Sequence, residues 1–169
     1  MNNPSTIQQL REMKFSAMAS ELELQLRDAA SYAQLSFDDR FGLLVNAEWN
    51  RRQANRLAKR IREARMDIPS ATLEGIEYSE DRGLDRAEMS RYATCGYIEE
   101  EHHIILKGAT GSGKTYLACA LGNAACRKFK TVRYVRMPEL LDELTIARAE
   151  NQFRKVTKAY AKTDLLILD

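Results

Sequence analysis

The chain lacks any apolar run near the length that crosses a membrane. A spanning helix needs about 20 consecutive apolar residues, and the 169 residues contain no such stretch. Residues 1–4 also lack the basic and apolar blocks of a signal peptide. We therefore expect a cytoplasmic protein with no membrane partner.

Cysteine and histidine are scarce, and their spacing argues against a zinc site. The three cysteines, Cys95, Cys119 and Cys126, form no C-x-x-C pair and are odd in number. His102 and His103 stand together without further candidate ligands nearby. We expect free thiols in a reducing compartment rather than disulfide bonds or a metal centre built on these residues.

The net charge of +2 is small, but the basic residues are unevenly distributed. Residues 51–65 hold seven bases against one acid, Glu63. At about 100° per residue, the apolar positions of this segment fall on one side of a helix. The opposite side carries Arg52, Arg56, Lys59, Arg60 and Arg62. This face is predicted to bind DNA phosphates without reading sequence, and a merely solvated helix face is the alternative.

The order of predicted elements indicates two kinds of structure. Residues from about 5 to 66 have helical apolar spacing, and Ser36 with Asp39 resembles a capping box. Farther along, strands and helices alternate, which predicts an α/β fold with a parallel sheet. The predicted strands are 104–107, 131–135 and 165–168, with helices at 114–128, from Pro138, and at 152–161. The predicted domains are a helical domain at 1–68, a connector at 69–103 and a nucleotide-binding domain at 104–169.

The segment 108–115 matches the phosphate loop G-x-x-x-x-G-K-T. It follows a short β-branched run and precedes a helical pattern, which is the context that the motif requires. Glycines let backbone N–H groups turn toward phosphate oxygens, and the helix N-terminus adds partial positive charge. The predicted nucleotide-binding residues are Gly108, Ala109, Thr110, Gly111, Ser112, Gly113, Lys114 and Thr115. Lys114 is expected to contact the β- and γ-phosphates, and Thr115 to ligate Mg²⁺.

A second chemical signal is the aliphatic run 165–168, which ends on Asp169. Such a strand delivers a carboxylate to the carboxyl edge of a parallel sheet, where a phosphate loop also lies. This is the pattern of a Walker B element. Asp169 is therefore predicted to hold Mg²⁺ together with Thr115, and Lys114 and Asp169 are the predicted catalytic residues.

Several segments, taken in order, resemble the IstB-like ATPases, which are helper proteins of bacterial insertion-sequence transposition. That family is related to the DnaC helicase loader within the AAA+ class. The matching stretches are AEW at 47–49, ATLE at 71–74, RGLDR at 82–86, the phosphate loop, LACALG at 117–122, PELLDEL at 138–144 and TDLLILD at 163–169.

The resemblance implies a P-loop NTPase sheet of the AAA+/ASCE type behind an all-α N-terminal domain. It implies ATP and Mg²⁺ as ligands, and DNA, a transposase and further copies of the full-length protein as partners. It also implies a second acid after the Walker B aspartate and two more strands, one of them between the strands at 104–107 and 165–168. This sequence stops at Asp169. We therefore expect a C-terminally truncated domain that binds ATP and hydrolyses it little or not at all.

Other functions stay open at this point. In a helicase loader of the same fold, the N-terminal helices would grip a helicase rather than DNA. In a DNA- or transposase-binding fragment, the nucleotide site would be inert. A nucleotide kinase is disfavoured, because its phosphate loop usually opens the chain and a long segment comes first here.

Overall fold

The computed structural model describes residues 3–78 and 83–169. They form two compact units that divide between Arg56 and Leu57, inside one long helix. In these residues, no helix combines the length and apolar character that crossing a membrane requires. Arg82, part of one matching stretch, lies outside the described residues. The predicted limits at 68 and 103 separate functional domains rather than compact units, so they stay a prediction.

The first unit is helical, as the apolar spacing predicts. Its helices are α1 (Asn3–Glu12), α2 (Ser16–Arg27), α3 (Ala29–Tyr32) and the greater part of α4 (Phe37–Ala64). The Ser36 hydroxyl accepts a 3.1 Å bond from the Asp39 backbone N–H and donates a 2.7 Å bond to the Asp39 carboxylate. The cap is therefore confirmed at Ser36, although the shorter Asp39 side chain binds the hydroxyl instead of the Ser36 backbone.

A buried carboxylate joins α2 to α4. Glu48 on α4 is only 5% exposed. Its carboxylate accepts bonds from the backbone N–H groups of Ala17 at 3.0 Å and Met18 at 3.4 Å, in the first turn of α2. The residue that precedes α2 offers no side-chain cap. Glu48 thus satisfies helix N–H groups that have no partner within their own helix.

Two arginines neutralise this carboxylate. Arg51 Nη2 and Arg52 Nε each lie 2.8 Å from Glu48 Oε1. The bond from Arg51 contributes most to lowering the pKa of Glu48, which falls to about 2 although burial opposes the shift. Glu48 is therefore a buried, charged residue that links two helices of the first unit.

The apolar residues flanking Glu48 on α4 are largely exposed. Phe37 is 78% exposed and Trp49 is 61% exposed, while Phe41 and Val45 are also open to solvent. The rings of Phe37 and Phe41 stack on each other with centroids 6.0 Å apart. Trp49 is not part of the core, because Glu48 and Leu44 occupy the buried side of the helix.

The second unit contains the end of α4, a 3-10 turn and the alternating helices and strands. Its elements are Leu73–Gly75, α5 (Arg86–Ala93), α6 (Gly96–Glu99), α7 (Lys114–Arg127), β1 (Val132–Val135), α8 (Met137–Ala149), α9 (Phe153–Ala161) and β2 (Leu165–Leu168). β1 and β2 pair in parallel, with Val132 opposite Leu165 and Val135 opposite Leu168. The predicted elements from residue 114 onward are confirmed to within one or two residues.

The core of this unit surrounds α7. Gly122 lies where α7 meets the sheet, because a Cβ there would approach Met66 Sδ to 2.8 Å and Ile167 Cδ1 to 2.9 Å. The three cysteines are free and buried, as expected. Burial raises the pKa of the Cys126 thiol to about 11.

The strand predicted at 104–107 does not form. Among the described residues, this segment pairs with no other strand, and the sheet has the order β1-β2. A cleft of about 820 Å³ lies between the segment and β2, lined by Ile104, Leu106, Leu166 and Leu168 among others. Burial still alternates, with Ile104 and Leu106 half-buried and Ile105 exposed. The strand is missing because strand hydrogen bonds need a neighbour.

Replacing Glu48 by Gln should lower the free energy of unfolding by about 2 kcal/mol, because an amide accepts weaker bonds than a carboxylate. Folding lowers the pKa of Glu48 from its ordinary 4.5 to about 2. Its contribution is therefore complete above the unfolded pKa and is lost as the pH falls toward the folded one. Urea titrations followed by circular dichroism should show the difference between wild type and variant shrinking over that range.

Glu63→Gln is the matched control, because Glu63 is an exposed acid on the same helix, 3.8 Å from Lys59. We expect it to change stability by less than about 0.5 kcal/mol. An equal loss in both variants would contradict the role assigned to Glu48. So would a difference that stays constant between about pH 5 and pH 3.

Candidate nucleotide-binding site

The loop 108–115 connects the unpaired segment 103–107 to the first turn of α7. Gly111 and Gly113 have φ of 79° and 88°, a region that side chains with a Cβ rarely adopt. A Cβ at Gly108 would come within 2.8 Å of Ser112 Oγ. Gly111 and Gly113 are therefore needed for this loop conformation, and a larger residue at position 108 would force the Ser112 side chain to move.

The N-terminus of α7 faces this loop. The helix begins at Lys114, and Gly113 provides no side-chain cap for its first N–H groups. Unpaired N–H groups and the partial positive charge of a helix N-terminus together favour an anion. The loop and the helix therefore present the donors that a phosphate requires.

Lys114 adds a full positive charge at the same place. Its Nζ donates to the backbone oxygens of Gly108 at 3.0 Å and Ala109 at 2.7 Å. The ammonium thus lies across the loop, and the residue as a whole is half-buried. These bonds to neutral carbonyl oxygens are exchangeable for bonds to phosphate oxygens, which are stronger because both partners are charged.

Thr115 and Asp169 meet although 54 positions separate them in sequence. The Thr115 hydroxyl donates to Asp169 Oδ2 at 2.9 Å. The Tyr134 hydroxyl, from β1, donates to the same oxygen at 2.7 Å. Asp169 follows β2, and the parallel pairing with β1 brings these groups to one edge of the sheet.

The Asp169 carboxyl is held in its charged form. The hydrogen bond from Tyr134 is the largest cause that lowers its pKa, followed by the bond from Thr115. The positive charges of Arg136 and Lys114 act in the same direction, and partial burial opposes them. A charged carboxylate and a hydroxyl, 2.9 Å apart, are the hard oxygen donors that Mg²⁺ prefers. Thr115 and Asp169 therefore fit the ligand set of this metal.

The predicted DNA-binding residues lie along α4 in different surroundings. Arg52 binds Glu48, and its guanidinium lies 4.8 Å from the ring centroid of Phe15. Lys59 lies 3.8 Å from Glu63. Arg56 and Arg62 are exposed. These side chains present positive charge at the protein surface, although Arg52 also pairs with the buried Glu48 within the first unit.

Arg60 differs from the others. It is half-buried in the second unit, and its positive charge acts on the Cys126 thiol and the Asp164 carboxyl. The pKa of Asp164 is lowered mainly by its bond from the Thr131 hydroxyl, with a smaller contribution from Arg60. Arg60 therefore lies closer to the packed side of α4 than the helical projection indicates.

Tyr134 is the residue of this site that sequence reasoning missed. It is 6% exposed and occupies a strand position that an apolar residue would fill equally well. Its only signal in the sequence is a hydroxyl-bearing residue near the end of the strand next to Asp169. That signal has meaning only when the pairing of β1 with β2 is known.

Comparisons with known proteins place the sequence in a family. The sequence model of the family described as IstB-like ATP binding protein matches residues 8–169. A Pseudomonas fluorescens protein, whose name refers to insertion sequence IS1162 and to ATP binding, is 38% identical over 169 residues. That alignment covers 100% of this chain and 73% of the relative.

More distant relatives carry names of the same kind. A Sinorhizobium fredii protein, named for ATP binding and an insertion sequence, is 34% identical over 97% of this chain and 66% of its own length. A Pseudomonas aeruginosa protein named for IS21 and ATP binding is 28% identical over 95% of this chain and 60% of its own length. The chain therefore spans 60% to 73% of these relatives. With the family model matching nearly the whole sequence, this chain belongs to the IstB-like ATP binding proteins.

Proposed function

We propose that this chain binds ATP with Mg²⁺ at the loop 108–115 and acts as the ATP-binding helper of a DNA transposase. The meeting of the phosphate loop with Asp169 through Thr115 is the observation that carries the proposal. This contact joins the first turn of α7 to the residue that follows β2, which supports a shared site for phosphate and metal. The names of the relatives, which refer to insertion sequences, support the biological setting.

Different groups of the site bind different parts of the magnesium–nucleotide complex. Backbone N–H groups of the loop and of the first turn of α7 bind phosphate oxygens, and Lys114 exchanges its two carbonyl partners for the β- and γ-phosphates. Thr115 and Asp169 hold Mg²⁺, which neutralises charge on the phosphates when bound. The finer assignment to the AAA+/ASCE class is part of this proposal.

We also propose that α4 binds DNA without sequence preference, through Arg52, Arg56, Lys59, Arg60 and Arg62. Most of these side chains are exposed, and over residues 51–65 they outnumber the acids. In this proposal, ATP binding promotes ordered assembly of the protein on DNA. Hydrolysis of ATP by the full-length protein then releases the protein from DNA. A transposase and further copies of the full-length protein are the proposed protein partners.

Replacing Lys114 by Ala should weaken binding of ATP with Mg²⁺ by at least about tenfold, because the variant loses the cation that meets the phosphates. Isothermal titration calorimetry or a fluorescent nucleotide would measure the change. Lys107→Ala is the matched control, since Lys107 is an exposed lysine just before the loop. Equal affinities for wild type and K114A would contradict the assignment of the site.

Replacing Arg56, Lys59 and Arg62 together by Gln should weaken binding to duplex DNA. The log–log dependence of affinity on salt should become shallower by roughly one unit for each phosphate that the variant no longer neutralises. Fluorescence anisotropy at several salt concentrations would measure both quantities, with two unrelated duplexes to test sequence independence.

A triple Gln variant of Lys155, Lys158 and Lys162 is the control for that experiment. It removes the same charge from exposed lysines on and after α9. The proposal expects a smaller effect from this control. If the two triple variants lose affinity and salt dependence equally, net charge rather than the α4 face explains binding.

A further inference from the structure

A chain of polar residues leads from the nucleotide site to the segment that follows α4. Hydrogen bonds join Thr115 and Tyr134 to Asp169. Arg136, two positions after Tyr134, pairs with Asp67. Arg136 Nη2 lies 3.0 Å from Asp67 Oδ1 and 2.9 Å from Asp67 Oδ2. All five residues belong to the second unit.

Tyr134 is the buried centre of this chain. Its ring packs in the core cluster around α7, so its position is set by the fold of the unit. Its hydroxyl donates to Asp169 Oδ2. Arg136 is two positions farther along the same extended backbone and therefore lies on the same side as Tyr134. The bond to Asp169 directs the hydroxyl proton at the carboxylate.

This bond remains available when a metal binds. The Thr115 hydroxyl and Asp169 would both turn toward Mg²⁺, so the bond between them would be replaced. Tyr134 lies on β1, outside the loop, and has no part in that exchange. It would therefore keep its bond to one carboxylate oxygen when Asp169 and Thr115 hold the metal.

The far end of the chain of contacts lies just beyond α4. Arg65, with φ of 54°, turns the backbone after the last helical residue, and Met66 enters the core. Asp67 comes next and is paired with Arg136. Both partners are partly exposed, so the pair adds little to stability. Its geometric effect is to connect Tyr134 to the end of the basic helix.

We infer that Tyr134 is a positioning residue that orients Asp169 for the metal–nucleotide complex, and that Arg136 and Asp67 tie this orientation to the end of α4. The inference rests on the proposed binding of Mg²⁺ and nucleotide. It assigns Tyr134 a role through Asp169 and gives the helix proposed to contact DNA a physical connection to the metal site.

The test compares ADP affinity with Mg²⁺ and with EDTA, by calorimetry on the full chain. Tyr134→Phe keeps the ring in the core and removes only the hydroxyl. We expect its affinity in EDTA to match the wild type, because phosphate binding by the loop is intact. The gain in affinity on adding Mg²⁺ should fall by about tenfold, as for loss of a hydrogen bond to a charged group.

Asp67→Asn is a second variant, at a partly exposed position. It should reduce the Mg²⁺ gain in the same direction but by less. Tyr160→Phe is the matched control, because it removes a tyrosine hydroxyl that binds Glu143 in the same unit. We expect no change in the Mg²⁺ gain for this control.

The outcomes separate the inference from the proposed function. A Y134F variant with the wild-type Mg²⁺ gain would overturn the inference, and so would a loss of equal size in EDTA and in Mg²⁺, which indicates a structural role only. An unchanged gain in D67N would overturn the connection to α4. A wild-type chain that binds no ADP would instead contradict the proposed function, and the inference with it.

Discussion

The contact between Thr115 and Asp169 is the constraint on which the candidate site depends. One residue belongs to the first turn of α7, and the other follows β2, so the contact exists only if helix and sheet pack in one register. Gly122 permits that packing, since a side chain there would push α7 away from Met66 and Ile167. The register of the parallel pair β1 and β2 then fixes where β2 ends, and so the position of Asp169 relative to the loop.

Much of this arrangement was predictable because its signals are local. The glycines, Lys114 and Thr115 form a contiguous motif, and the aliphatic run before Asp169 became β2 with the predicted bounds. Pro138 lies in the first turn of α8, where its missing N–H costs nothing. Local chemistry determines these elements with little help from the rest of the chain.

The failures of prediction have a common physical cause, which is dependence on a neighbour. The segment 104–107 has strand composition but no partner for its backbone groups among the described residues. Trp49 is apolar, yet it is exposed because the buried side of α4 is taken by Leu44 and the ion-paired Glu48. Arg60 lies on the basic side of a helical projection, and packing within the second unit decides its surroundings. Tyr134 acquires its role only through a strand that pairs beside it.

The cap that Glu48 provides has a consequence for the order in which the first unit folds. Most helices draw their N-terminal acceptor from an adjacent residue, so the cap forms together with the helix. Here the acceptor for Ala17 comes from a residue 31 positions later. The first N–H groups of α2 lack their protein acceptor until α4 has formed and packed against α2. The entropy of closing the chain between the two helices is therefore lost before these hydrogen bonds form. The two helices should therefore gain protection from hydrogen exchange as one cooperative step.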